Sequence, residues 1–102
     1  MPAKNIVLIV LDAVRADHLS CYGYDRTTTP NIDRLANEGV RYKHAFSNSN
    51  WTGAAHPPIF TGQLPSNSGL YGGELSFPDD TTLLTGLLKE SGYRTFGTSA
   101  GA

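Results

Sequence analysis

The chain has 102 residues, room for one modest domain, and its 39% apolar and 17% charged content excludes a disordered composition. Eight basic residues against nine acidic ones leave a formal net charge of -1, so composition forces no basic face for nucleic acid or an anionic membrane. A single cysteine excludes an intrachain disulfide and fits a reducing, cytoplasmic setting.

In chain order, residues 5–11 form a continuous β-branched and leucine run, apolar on both faces, which predicts a central parallel strand. The run is far short of the roughly 18 apolar residues that span a bilayer. It leads into Asp12-Ala13-Val14-Arg15-Ala16-Asp17 rather than a small-residue cleavage site, so it does not read as a secretory signal. Residues 12–29 read as loop with one short helical turn. Thr29-Pro30 predicts a helix start, with Thr29 as N-cap, Pro30 at the first helical position, Ile32, Leu35 and Ala36 as the apolar stripe, and Gly39 as a left-handed terminator. Alternation of Val40, Tyr42, His44 and Phe46 with Arg41, Lys43 and Ala45 predicts a second strand. Ser47 to Asn50 is a polar turn cluster before Trp51-Thr52. Ala54-Ala55 favours helix but Pro57-Pro58 opposes its interior, which predicts a short or late-starting helix ending near Gly62. Gln63 to Pro78 reads as a long loop. Asp79 or Asp80 caps a further helix whose core stripe is Leu83, Leu84, Leu87 and Leu88 and whose end is Gly92; Arg94 to Ser99 reads as a third strand.

This alternation predicts an α/β fold: a mainly parallel sheet of about three strands with three helices. Three strands cannot cover a central strand on both edges and both faces. Residues 1–102 therefore read as the incomplete first part of a larger α/β domain, with an exposed apolar sheet edge that invites self-association.

Three positions stand out chemically. Asp12 ends the first strand, where open α/β sheets bind ligands, and a carboxylate after six apolar residues needs a partner; a metal cation and a loop or N-cap hydrogen bond are both open readings. Thr52 stands at the head of the Gly-Ala-Ala stretch, as an N-cap or as a nucleophile. A threonine hydroxyl is a poor nucleophile unless assisted, and a divalent metal can stabilise its alkoxide. Asp12 and Thr52 thus belong together chemically as ligands of one cation, with helix N-terminal amides to hold an incoming anion. His56 lies four residues after Thr52, on the same face if the stretch is helical, as an oxyanion-steadying group or as a structural histidine. His18 and His44 read as structural, Arg15 and Asp17 as a surface ion pair, Cys21 as a small buried hydrophobe, and Trp51 as packing under the Thr52 loop. Asn48 and Asn50 read as turn formers that could also line the site. No Gly-rich loop follows the first strand, which argues against a flavodoxin-like cofactor module.

Ordered blocks over nearly the whole chain carry a resemblance. They are Asn5 through Leu19, Cys21-Tyr22-Gly23-Tyr24, Thr29 through Ala36, Gly39-Val40, Trp51-Thr52, His56, Thr61-Gly62, Pro65, and Leu87 through Thr95. Together they resemble the N-terminal segment of the sulfatase family, within the wider alkaline phosphatase superfamily. The resemblance implies a three-layer α/β fold, hydrolysis of sulfate or phosphate esters, a divalent metal (Zn, Mn or Ca), and Asp12 as a metal ligand. Counting back from Thr61-Gly62, the family's modifiable Cys or Ser falls on Thr52, which implies Thr52 as nucleophile and second metal contact. Ala13 stands where many members carry a second acid, and Ala54 and His56 replace the family's Pro and Arg after the nucleophile. Threonine is not converted to formylglycine, so the pattern is similar to the branch with an unmodified Thr nucleophile, which includes phosphodiesterases and phosphotransferases. The family's later Asp and His ligands have no counterpart here. After Thr52 the carboxylates are Glu74, Asp79, Asp80 and Glu90, so the isolated chain is expected to be inactive. The alternative from another class is a non-catalytic α/β fragment or interaction module.

Overall fold

Thr29-Pro30 starts a helix where the sequence places it. In the computed structural model, which describes residues 4–69 and 76–100, α1 runs Pro30–Glu38 with Pro30 at its first position. Proline suits that place because its missing N–H has no intrahelical partner there. Gly39 ends α1 with its N–H on the Leu35 carbonyl at 2.9 Å, but at φ -121° and ψ -152° it is extended, not left-handed as expected.

The chain divides into two compact units, Met1–Ala45 and Phe46–Ala102. In the first, two short 3₁₀ turns, Ala16–His18 and Ser20–Tyr22, precede α1, and the second packs on it. The junction is polar. Asp33 of α1 accepts hydrogen bonds from the Ser20 hydroxyl at 2.5 Å and the Thr29 hydroxyl at 3.1 Å, while the Ser20 N–H donates to the Thr29 oxygen at 3.2 Å. The backbone N–H and thiol of half-buried Cys21 also reach Asp33. Foremost the Ser20 hydroxyl, then Thr29 and Cys21, hold the Asp33 carboxyl below the usual carboxylate range against partial desolvation. Thr29 thus spends its side chain on Asp33 and makes no side-chain cap to the helix N–H groups.

In the second unit α2 spans Thr52–Thr61, α3 spans Pro65–Ser68 and α4 spans Leu84–Glu90; α3 and α4 both pack on α2. α2 is neither short nor late-starting: it begins five residues before Pro57. Each interior proline removes one helical N–H and presses its ring toward the carbonyl four residues back. Those carbonyls belong to Gly53 and Ala54. Ala54, 4% exposed, and Pro58 are the buried residues among those described, so the ring of Pro58 recovers by burial part of what its lost bond costs. Left-handed Gly62, φ 67°, closes α2 near its expected end. Within the expected long loop, α3 forms a single turn; residues 70–75 of that loop, including Glu74, lie outside the described residues.

α4 starts later than expected, because Asp79-Asp80 sits in a turn closed by the Thr81 N–H on the Pro78 carbonyl at 3.0 Å and Leu83 becomes the N-cap. Its end is as expected. Gly92, φ 88°, donates to the Lys89 carbonyl and Tyr93 to the Leu88 carbonyl, both at 3.0 Å, the paired bonds of a Schellman terminus.

The expected mainly parallel α/β sheet is not present: the described residues form four α-helices and two 3₁₀ turns, with no strand. The three segments predicted as strands, 5–11, 40–46 and 94–99, carry no hydrogen-bonded ladder. A β-branched run becomes a strand only when neighbours pair its backbone and cover its side chains. Ile6 to Leu11 remain 43–80% exposed and Phe96 94% exposed, so neither is covered. Residues 41–42 are held by side chains instead: the Tyr22 hydroxyl donates to the Tyr42 carbonyl at 2.7 Å, and the Arg41 guanidinium sits 5.0 Å from the Tyr22 ring centre. With no strand among the described residues, the expected sheet edge for self-association is absent there too. The leucine stripe is not a core either: Leu84 and Leu87 are exposed, and Leu83 and Leu88 are half-buried.

Candidate functional site

Thr52 is the first residue of α2. Trp51 precedes it in extended conformation, φ -141° and ψ 153°, and offers no side-chain acceptor to the helix. The first helical bond runs from the Ala55 N–H to the Trp51 carbonyl at 3.0 Å. The N–H groups of Thr52, Gly53 and Ala54 therefore lack intrahelical partners and stand at the positive end of the helix dipole. That arrangement accepts an anion, beside an exposed Thr52 hydroxyl.

His56 is half-buried one turn along. Its Nδ1 lies 2.9 Å from the Thr52 carbonyl oxygen. A carbonyl only accepts, so Nδ1 carries the hydrogen, and Nε2 of the neutral ring keeps its lone pair. The structure thus brings together Thr52 and His56, as their spacing on a helix requires.

Beside this helix head lies an open groove of about 390 Å³, lined by Asn48, Ser49, Trp51, Ala54, Leu64, Pro65 and Ser66. Ser47 shapes its polar side: its hydroxyl donates to the Ser49 carbonyl at 2.7 Å, which leaves Asn48 at the corner of the turn. Trp51 does not pack beneath the loop as expected; it is 51% exposed and forms one wall of the groove. The sequence identified Asn48 as a possible lining residue but gave no sign of Leu64, Pro65 and Ser66, which reach the groove only because Gly62 reverses the chain after α2.

Asp12 is exposed and belongs to the first unit, Thr52 and His56 to the second. Its Oδ1 accepts the Ala13 N–H at 2.9 Å, and Ala13 is left-handed at φ 55°, a conformation that costs a residue with a Cβ roughly 1–2 kcal/mol. Asp12 thus satisfies its loop hydrogen-bond reading. Among the described residues no three His, Cys, Asp or Glu side chains gather as a metal site. The residues present therefore do not by themselves fit a divalent cation, which takes four or more donors.

The expected surface pair is present. Arg15 Nε and Nη2 donate to Asp17 at 3.0 and 2.5 Å, and His18 Nδ1 approaches the same carboxylate at 3.1 Å. The His18 ring also packs on Tyr24 at 4.9 Å. Arg15, then His18, lower the Asp17 carboxyl to about 2, and Asp17 in turn raises Arg15.

The sulfatase family model matches residues 4–101. The chain belongs to the sulfatase family. Among its relatives, N-acetylglucosamine-6-O-sulfatase of Bacteroides thetaiotaomicron is 32% identical over 91 residues, covering 89% of this chain and 16% of the relative. Human arylsulfatase H is 35% identical over 103 residues, covering 89% and 18%. N-acetylgalactosamine-6-O-sulfatase of B. thetaiotaomicron is 36% identical over 96 residues, covering 89% and 19%. The chain thus spans less than a fifth of the length of these curated sulfatases. No solved structure matches it. Among the described residues, no helix is long and apolar enough to cross a membrane.

Proposed function

We propose that this chain is the nucleophile-bearing first portion of a sulfatase-family hydrolase of sulfate or phosphate esters, working in a reducing compartment on a small-molecule ester. Thr52 is the nucleophile. The observation that carries the reading is the uncapped head of α2, which sets an exposed hydroxyl among three free N–H groups one turn from an imidazole held by its Nδ1. The N–H groups hold the anionic oxygens of the ester, and Thr52 Oγ1 attacks sulfur or phosphorus. His56 Nε2 takes the hydroxyl proton and returns it to the departing ester oxygen, so the alcohol leaves neutral and Thr52 carries the sulfuryl or phosphoryl group until water releases it. Asp12 is proposed as one ligand of a divalent cation, Zn, Mn or Ca, whose remaining donors the described residues do not supply.

Alone, the 102-residue chain is proposed to be inactive. The absence of a three-ligand cluster among the described residues and the exposed Ile6–Leu11 run support this, because such a run finds cover only against further chain. The test is turnover of nitrophenyl sulfate, nitrophenyl phosphate and bis(nitrophenyl) phosphate with Zn, Mn or Ca. None is expected from the 102-residue chain. Turnover is expected from the protein extended to the length of its relatives, with a loss on the order of 10³-fold or more in Thr52→Ala. Undiminished turnover in Thr52→Ala refutes the reading; the preferred substrate decides between sulfate and phosphate.

A further inference from the structure

We propose that Pro57-Pro58 is a joint inside α2. It uncouples the Thr52–His56 turn from the rest of the helix, so that the Thr52 hydroxyl and the His56 imidazole move as one piece against an anchored second half. The catalytic use of that motion rests on the reading of Thr52 above; the joint itself does not. In an unbroken helix the N–H groups of residues 57 and 58 bond to the carbonyls of Gly53 and Ala54. Proline has no N–H, so both bonds are missing, and they are consecutive. One lost bond gives a kink that the neighbouring bonds still splint; two in succession remove the splint from the same turn. Each side of the gap is closed on itself. Before it, the His56 Nδ1–H donates to the Thr52 carbonyl at 2.9 Å, a bond wholly within the turn that keeps the two residues in fixed relation as the turn moves. After it, the Thr61 hydroxyl donates to the Pro57 carbonyl and the Gly62 N–H to the Pro58 carbonyl, both at 2.9 Å. Burial is unequal in the same sense. The Pro58 ring is buried after the gap, whereas before it the buried side chain is the single Ala54 methyl and Thr52 is exposed. A proline pair that only stopped the helix would end it there, but α2 continues to Thr61. Such a joint lets nucleophile and base advance together on a bound ester and withdraw together for product release. Pro57 and Pro58 are thus positioning residues that act through Thr52 and His56.

Amide hydrogen exchange in the 102-residue chain, its helices verified by circular dichroism, gives the first readout. Ala55 and His56 carry the helically bonded N–H groups before the joint, and Ile59 to Gly62 those after it. Ala55 and His56 are expected to exchange at least about tenfold faster than Ile59 to Gly62. Pro57→Ala returns a donor to the Gly53 carbonyl and leaves the buried Pro58 in place. It is expected to slow Ala55 and His56 by about tenfold, with the thermal midpoint unchanged or raised. In the extended protein the same substitution is expected to lower kcat by about tenfold without lowering the thermal midpoint, a combination that loss of structure does not produce. Equal exchange on the two sides of the joint, rates unmoved by Pro57→Ala, undiminished kcat in Pro57→Ala, or a kcat that falls together with the thermal midpoint overturns the proposal. The two readings fail separately. Proline-dependent exchange beside undiminished turnover in Thr52→Ala removes the nucleophile alone, whereas Thr52-dependent turnover with exchange indifferent to Pro57 removes the joint alone.

Discussion

Each side chain at the helix head has one physical job, and each job has its own readout. His56 is fixed by a single 2.9 Å bond from Nδ1 to the Thr52 carbonyl. Replacing it with Phe keeps the bulk but removes both nitrogens; activity of the extended protein should fall on the order of 10²-fold or more, in kcat rather than KM. Ala13 should respond against habit. Ala-to-Gly changes usually cost stability, but at φ 55° glycine relieves the strain, so Ala13→Gly should be neutral or stabilising by up to about 1 kcal/mol in denaturant unfolding. Asp17 is lowered to about 2 through Arg15 and His18. A depressed carboxyl favours the folded state above its unfolded value near 3.9, and that contribution fades as pH falls toward about 2. Because the pair is exposed, the effect on stability is small and weakened by salt. Its direct check is the NMR titration of the Asp17 carboxyl, which should have its midpoint near 2 and rise toward the ordinary range in Arg15→Ala.

Helix ends were legible in the sequence to different degrees, for local reasons. Thr29-Pro30 and Gly92 were read correctly because their signals act within one turn: proline sets φ at the start, and a left-handed glycine closes the paired terminal bonds. Gly92→Ala should therefore cost roughly 1 kcal/mol or more of stability, since φ 88° disfavours any Cβ. The start of α2 departs from expectation because Pro57-Pro58 is a strong local breaker, while burial of Pro58 in the helix is a tertiary matter. The start of α4 was misread because Asp79 and Asp80 serve a turn rather than a cap. At the junction of the second 3₁₀ turn with α1, neither periodicity nor spacing signalled that Ser20, Cys21, Thr29 and Asp33 would converge. Asp33→Asn removes the charge that gathers these donors and should lower the thermal midpoint, with faster amide exchange at Ser20 and Cys21.

For the whole molecule, the family was legible and the sheet was not. Motif blocks such as Thr29 through Ala36 are read from neighbouring residues alone, and the family model matches over residues 4–101. A sheet is a property of paired strands, and Ile6 to Leu11, Val40 to Phe46 and Arg94 to Ser99 form no strand among the described residues of a chain that spans less than a fifth of its curated relatives. The site divides the same way. Thr52 and His56 are joined by local helical geometry and were legible together. Asp12, in the other unit, is linked to them by chemical reasoning about a shared cation and not by any local geometry. The central claim is that Thr52 takes the sulfuryl or phosphoryl group. The measurement that tests it is peptide fragmentation mass spectrometry of the extended protein, acid-quenched during turnover of nitrophenyl sulfate or phosphate. The account predicts the adduct on Thr52 and its loss in Thr52→Ala; an adduct on another residue, or one that persists in Thr52→Ala, would contradict it.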